Sequence, residues 1–475
     1  MTAGALTGEG MPTREGDLRI EAHGFEPIPE SARYGSVSRV FTVWFTPNLV
    51  PAAFFIGTLA AADFLKVGFV TGLAAIVVGN LLGSILVGLL ATMGPSTGMA
   101  QMPLARLAYG KSIVLPGLLN WLSCIGWDGI NSVFGAAALS LLTGIDFVVA
   151  LIAIVVVQGA LGVIGYEGIH TFEKYMAIVL GVMFAVLTVA IVAQGATGTS
   201  RHDGLPGADG TGAFVTFTTV VASFVLAWSL YASDYTRYLP QSTSRLSIFW
   251  LTALGLTLSA GWVEVLGLLV ADKATETTVG TIRDILGGGV LGALALIAIA
   301  IGTVAVNALN DYTGSLSLQA AGVRVPRVYS AVVVAILGFL FTLYLNSGNL
   351  THKFETYLLF ISYWIAPWAA VVLVDWWQNG ARVDVRRLVD FGRLHGGAVG
   401  LVALIAGFVV SLPFQTSELG IDLYKSGWPV NNIAFDTLHG ADFAYVVGFL
   451  VAAAVYLGGS LLRGRSTAAA MAEGT

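Results

Sequence analysis

Charge is what this chain has least of. Asp, Glu, Lys and Arg make up 11% of its residues against 56% that are hydrophobic, whereas a water-soluble domain carries roughly 25% charged residues. An ordinary globular protein is therefore excluded. There is one cysteine, Cys124, inside an apolar run, which rules out an intrachain disulfide framework and a cysteine-based metal site. The six histidines are scattered without ligand spacing, so neither a metal nor another cofactor is expected. No nucleophile–base pair stands out, so an enzyme is not expected, and neither is a nucleic-acid partner. The first 39 residues hold no apolar core, which excludes a cleaved signal peptide and predicts a disordered cytoplasmic tail.

What fills the chain instead is apolar sequence in long runs. A membrane-crossing helix needs roughly 20 such residues, and twelve runs qualify, near 41–62, 67–92, 115–141, 146–164, 175–194, 213–239, 247–271, 290–320, 328–345, 354–374, 397–413 and 441–462. The expectation is an all-α, multi-pass integral membrane protein in the lipid bilayer, with a transmembrane domain over 40–462 and a short C-terminal tail over 463–475. If the N-terminus is cytoplasmic, 17 of the 23 Lys and Arg fall in inner segments, among them Arg106, Arg237 and Arg393. Six fall outside, among them Lys66, Lys353 and Lys425. The positive-inside rule then puts both termini in the cytoplasm.

Two of the runs are interrupted. The first contains Trp44-Phe-Thr-Pro-Asn48 and then Pro51, and each proline deletes a backbone hydrogen bond. The sixth turns from Ala213–Leu226 into Ala227-Trp-Ser-Leu-Tyr-Ala-Ser-Asp-Tyr-Thr-Arg237. Hydroxyls, an acid and an Arg are tolerated at membrane depth only against protein or a cavity. Asp234 and Arg237 alone could pair at the end of an ordinary span; Trp228, nearly two turns deeper, has no such explanation. Spans one and six correspond if ten helices form two inverted repeats of five, and matched breaks point to a transporter's midplane site.

The third run places Trp127 and Asn131 one turn apart on one helix face. Such a pair offers a flat ring and an amide that can donate and accept together. It also reads as helix packing, since Gly126, Gly129 and Gly135 are neighbours. Asp128 beside it is costly in a span unless it has a partner or a task. As a proton carrier it would be kept near neutrality by desolvation; as a structural residue it would stay ionised under a neighbour's donors. Glu264, alone in the seventh run, is the competing acid. The eighth run ends Asn307-Ala-Leu-Asn-Asp-Tyr312, and at least one of Asn307 and Asn310 is expected to share a cavity with Asn131.

At these residues the sequence resembles the nucleobase:cation symporter-1 family, in its purine–cytosine permease branch. The most specific string is Trp228-Ser-Leu-Tyr-Ala-Ser-Asp-Tyr-Thr-Arg-Tyr-Leu-Pro240; the likeness runs over all twelve spans. It implies a LeuT-type fold, two inverted five-helix repeats plus two helices, working by alternating access. It also implies a planar heterocycle held between Trp127 and Trp228, with Asn131 and Asn310 bonding its edge and Thr46 facing it. Some members carry the span-six aromatic nearer Phe224. Sodium-coupled hydantoin carriers have a Ser-Thr pair where this chain has Val304 and Ala305, which favours proton coupling. The resulting expectation is an importer of cytosine or purines by proton symport in the inner membrane, with Asp128 or Glu264 carrying the proton. The alternative keeps the mechanism and changes the ring to uracil, allantoin, a hydantoin, thiamine or another vitamin, with sodium as the other ion.

Overall fold

In hydrocarbon a backbone N–H finds no water, so each apolar run must close its hydrogen bonds on itself as a helix. The computed structural model describes residues 26–473 apart from 165, 196–203, 274–276, 324–326, 380–382 and 384. Among the described residues nine helices are long and apolar enough to cross a membrane, two bent pairs raise the number to eleven, and a shorter apolar helix adds a twelfth element. α1 is the bent pair Ser38–Asn48 and Pro51–Ala61. There follow α2 (Phe69–Ala91), α3 (Val114–Thr143), α4 (Phe147–Ile164) and α5 (Tyr166–Ala193). The second group is α6 (Gly207–Thr236), α7 (Arg245–Leu269), α8 (Val290–Ala320), α9 (Arg327–Asn346) and α10 (Leu350–Asn379). α11 (Ala398–Ser411) and α12 (Ala444–Glu473) complete the set. Outward-facing Val149, Ile152, Val156 and Val157 of α4 are exposed, as lipid-facing side chains should be.

The packing repeats itself five helices apart. α3 lies along α8 more extensively than any other two elements pack, and α2 lies along α7. The contact of α1 with α7 has its counterpart in that of α6 with α2, which is the pattern of two five-helix repeats laid against each other. Small residues make this possible. A methyl at Gly57 in α1 would collide with the Glu264 carbonyl oxygen of α7, and one at Gly267 in α7 with that of Phe54 in α1. The two backbones touch in both directions.

The expected break in α1 is a bend of 64°. Pro47 and Pro51 donate nothing to the ladder, and the Asn48 side chain turns back to satisfy the Trp44 carbonyl at 3.0 Å. α6 differs from expectation: it is not sharply bent. It tightens to a 3₁₀ stretch at Ala227–Tyr231 before one further helical turn. The ladder is nevertheless interrupted, because the Ser233 N–H goes to Gln101 Oε1 at 3.2 Å and the Ser233 hydroxyl to the Met99 carbonyl at 3.1 Å. A neighbouring connection thus supplies the partners that a sharp break would have left to a cavity.

Segments assigned to one side of the bilayer also meet in space. Arg106 donates to the carbonyls of Leu388 and Ala320, Arg245 to Ser96, and the Lys111 N–H to His395. At the opposite end the Leu205 N–H meets the Lys66 carbonyl at 3.1 Å. The two expected tails are only partly among the described residues. Residues 1–25 lie outside the described residues, but 26–39 are no free tail: Ile28 is buried, its N–H bonds Gly98 O at 2.9 Å, and the Tyr34 N–H bonds Tyr238 O at 2.8 Å. At the other end, helix α12 continues past 462 to Glu473.

The contact of α1 with α7 can be tested directly. Gly57→Ala should lower stability in detergent by about 1–3 kcal/mol, the cost of overpacking a close contact, read as a lower thermal midpoint. An unchanged midpoint would show that the two backbones do not meet there.

Candidate functional site

The interrupted segment of α1, the 3₁₀ stretch of α6, and the middles of α3 and α8 surround one cavity. Its walls are Pro47 and Val50 from α1, Trp127 and Asn131 from α3, Phe224, Ala227, Trp228 and Tyr231 from α6, and Val306 and Asn310 from α8. Apolar and aromatic groups dominate, and two amides supply the polar edge.

Each indole is held by ring edges. Trp127 meets Phe224 at 5.7 Å and 71°, and Tyr357 at 5.4 Å and 90°. Trp228 meets Trp44 at 6.0 Å and 80°, and Tyr231 at 6.0 Å and 72°. Among the described residues neither indole is stacked in parallel with another ring, so both remain able to take a flat ligand on a face. Trp228 has a further anchor. Its Nε1–H donates to Asn48 Oδ1 at 2.9 Å, while Asn48 Nδ2 donates to the Trp44 carbonyl and to Ser259 Oγ at 3.1 Å. The proline-broken turn of α1 thereby sets the position of a side chain on α6.

The amides are just as constrained. Asn307 Nδ2 shares its two hydrogens among the Asp128 backbone carbonyl at 3.1 Å, Ser132 Oγ at 2.9 Å and Gln158 Oε1 at 3.2 Å. A backbone carbonyl can only accept, so the Asn307 amide has one possible orientation, and its Oδ1 must accept from Asn131 Nδ2, at 3.1 Å. Asn131 therefore keeps Oδ1 as an acceptor for the cavity. Asn310 Nδ2 has no hydrogen-bond partner within the protein, and buried donors are rarely left so. The polar groups on the cavity are thus the Asn131 acceptor and the Asn310 amide, set between aromatic walls.

Of the residues singled out from sequence, Trp127, Asn131, Trp228 and Asn310 come together on this cavity, and Phe224 joins them. Thr46 does not line it: it is half-buried beside Pro47, and its neighbour Asn48 is the α1 side chain that reaches the site's tryptophan. Asp128 is fully buried on another face of α3, where Gln158 Nε2 donates to its Oδ1 at 2.7 Å. Glu264 is separate from both, buried between α7 and α2 and accepting from Asn80 Nδ2. Tyr231, Asn48, Gln158 and Asp311 were not foreseen. Gln158 had a signal: it is the only strongly polar side chain in the apolar sequence of α4.

Residues 27–448 match the sequence profile of a family described as permease for cytosine/purines, uracil, thiamine, allantoin. The chain is 28% identical to the purine-cytosine permease fcyB of Emericella nidulans, over 93% of this chain and 88% of that one. It is 26% identical to the purine-cytosine permease FCY2 of Saccharomyces cerevisiae, over 90% and 85% respectively. In fold it matches the structure of Mhp1, a nucleobase-cation-symport-1 family transporter in a closed conformation with bromovinylhydantoin bound. The TM-score is 0.73 at 16% identity, covering 95% of this chain and 97% of that one. The architecture is accordingly the LeuT-type arrangement of two inverted repeats plus two helices.

The anchoring of Trp228 predicts that Asn48→Ala, which strands a buried indole N–H, will cost about 1–3 kcal/mol of stability in detergent. It should also shift the tryptophan emission. Wild-type emission and melting in this variant would show that Asn48 does not hold the indole.

Proposed function

Because the chain belongs to the family of permeases for cytosine/purines, uracil, thiamine and allantoin, we propose that it imports cytosine or purine bases by proton symport and alternating access, in the inner membrane with both termini cytoplasmic. The observation that carries the reading is the cavity's polar edge: the Asn131 Oδ1 acceptor and the Asn310 amide, on a site walled by Trp127 and Trp228. Nucleobases are flat rings whose edges carry adjacent donors and acceptors. Stacking on an aromatic contributes about 1–3 kcal/mol per base, and the amides choose among rings.

Proton coupling is supported by Val304 and Ala305, buried apolar side chains that, by the family resemblance, stand where sodium-coupled hydantoin carriers have a Ser-Thr pair. Asp128 and Glu264 are the candidate carriers. Asp128 is the better placed of the two, since its own backbone carbonyl holds Asn307 and, through it, Asn131. The purine-cytosine permeases among the similar proteins favour cytosine and purines over the other rings that the family description names. Uptake of radiolabelled cytosine and adenine into a permease-deficient host, competed by unlabelled uracil, allantoin, hydantoin and thiamine, tests the assignment. Uptake displaced by one of those rings and not by purines or cytosine would overturn it.

Two sets of substitutions follow. Trp127→Ala and Trp228→Ala should each abolish uptake at normal membrane levels, whereas Trp→Phe at either position should retain part of it. Normal transport by Trp228→Ala together with none by Phe224→Ala would move the second stacking surface to Phe224. Asn131→Ala or Asn310→Ala leaves a ring edge unpaired, which costs about 1–3 kcal/mol, so apparent affinity should fall by roughly tenfold or more. The loss should differ between cytosine and adenine; equal loss for every ring would show damage to the fold instead of altered recognition.

A further inference from the structure

Trp127 and Asn310 face the cavity, and each is followed in sequence by an acid. One residue further on is about 100° round a helix, so Asp128 of α3 and Asp311 of α8 both point behind the cavity wall. α3 and α8 are the corresponding helices of the two repeats. There, one side chain of α4 joins the acids: Gln158 Nε2 donates to Asp128 Oδ1 at 2.7 Å and to Asp311 Oδ2 at 3.0 Å. Both acids are buried, and their remaining oxygens, Asp128 Oδ2 and Asp311 Oδ1, have no partner.

Among the described residues no cation faces this pair. The titratable group beside it on α3 is Cys124, with the Tyr231 hydroxyl of α6 at 3.4 Å from its sulfur. From α10 the Tyr357 hydroxyl reaches the Ser123 carbonyl of α3. α4 presents Gln158, and α9 presents Gly338, where a methyl would collide with Asp128 Oδ2, and Thr342, bonded to the Gly129 carbonyl. Two like charges under one neutral donor, without a counter-ion, do not coexist cheaply in a low dielectric.

We propose that Asp128 and Asp311 form one proton site, bridged by Gln158 and tied to the base-reading Asn131 through Asn307. The inference rests on the proton-symport reading above and extends it from a single carboxylate to a pair drawn from the two repeats. A proton from the side of substrate entry adds to an unpartnered oxygen, Asp128 Oδ2 or Asp311 Oδ1. One O–H bond forms, the pair becomes less negative by one charge, and the same proton leaves to the opposite side after the base. A carboxylic acid offers a donor where a carboxylate offered only acceptors, so loading changes what Gln158 must present. Gln158 Oε1 holds Asn307 at 3.2 Å, and Asn307 Oδ1 holds Asn131 at 3.1 Å. The proton's presence is thereby felt at the acceptor that meets the base.

The test uses the full chain in proteoliposomes with radiolabelled cytosine and adenine. One coupled proton under a gradient of about one pH unit sustains up to roughly tenfold accumulation. Asp311→Asn and Asp128→Asn should each bring accumulation down to about one while counterflow exchange stays within about threefold of the unsubstituted protein. Glu264→Gln should still accumulate. Gradient-driven accumulation that survives in Asp311→Asn would overturn the paired site and leave the symport reading standing. Accumulation lost in Glu264→Gln and kept in both Asp variants would move the proton to Glu264 and overturn it as well. If Asp311→Asn does not reach the membrane, Gln158→Met decides, because it keeps both acids and removes the bridge: loss of accumulation supports the proposal, and unchanged accumulation overturns it. Uptake by the unsubstituted protein that follows sodium and ignores pH would overturn the symport reading and this inference together.

Discussion

One hydrogen bond sets the polarity of the buried network between α3, α4 and α8, the one from Asn307 Nδ2 to the backbone carbonyl of Asp128. An amide side chain has two nearly equivalent orientations, and a buried network of amides left to itself would have several arrangements of similar energy. A carbonyl that can only accept removes that freedom. From it follow the acceptor face of Asn307 toward Asn131, the carbonyl of Gln158 toward Asn307, and hence the donor of Gln158 toward Asp128 and Asp311. In hydrocarbon, where an unmet polar group has no water to turn to, such a network either satisfies itself or destabilises the helices that carry it. The cavity and the acid pair are two ends of one hydrogen-bonded chain.

The repeat symmetry gives that chain its place. α3 and α8 are counterparts, and each contributes a cavity residue followed by an acid, Trp127 with Asp128 and Asn310 with Asp311. The matching pair α1 and α6 is less symmetric than the expected twin breaks implied. α1 bends by 64° because two prolines leave its ladder incomplete. α6 keeps its course because Gln101 and the Met99 carbonyl take up the groups that its 3₁₀ stretch releases. One half of the site is therefore shaped by covalent geometry and the other by a neighbouring segment. The first is coded in α1 itself, and the second depends on a residue about 130 positions away from the stretch that it supports.

Much of this was legible because membrane sequences obey local rules. A run of roughly 20 apolar residues has one solution in lipid, so each of the twelve runs is helical where composition put it, although one of them is a shorter helix and two are bent pairs. Prolines at 47 and 51 and the one-turn spacing of Trp127 and Asn131 are equally local, and they led to a break and a shared face that the structure contains. The resemblance to a permease family brought Trp228 and Asn310 to the same cavity. It also nominated Thr46, which the structure leaves outside the wall, one residue short of Pro47 and two short of Asn48.

What tertiary structure alone decided is which polar group answers which. Asn48 and Trp228 are 180 residues apart, Asn307 and Gln158 are 149 apart, and no periodicity within either helix marks them as partners. Asp128 stood out from the sequence as a costly acid, yet its face, its companion Asp311 and the amide between them depended on how α3, α4 and α8 are rotated about their axes. The docking of 26–39 against the loops beside Gly98 and Tyr238 was hidden for the same reason, since a polar leader and a docked one have similar compositions. Helix formation depends on each segment's own backbone and its apolar length, so sequence determined the spans. The pairing of buried polar groups depends on approach angles set by glycines and side-chain packing across the whole bundle, and only the assembled fold determines those.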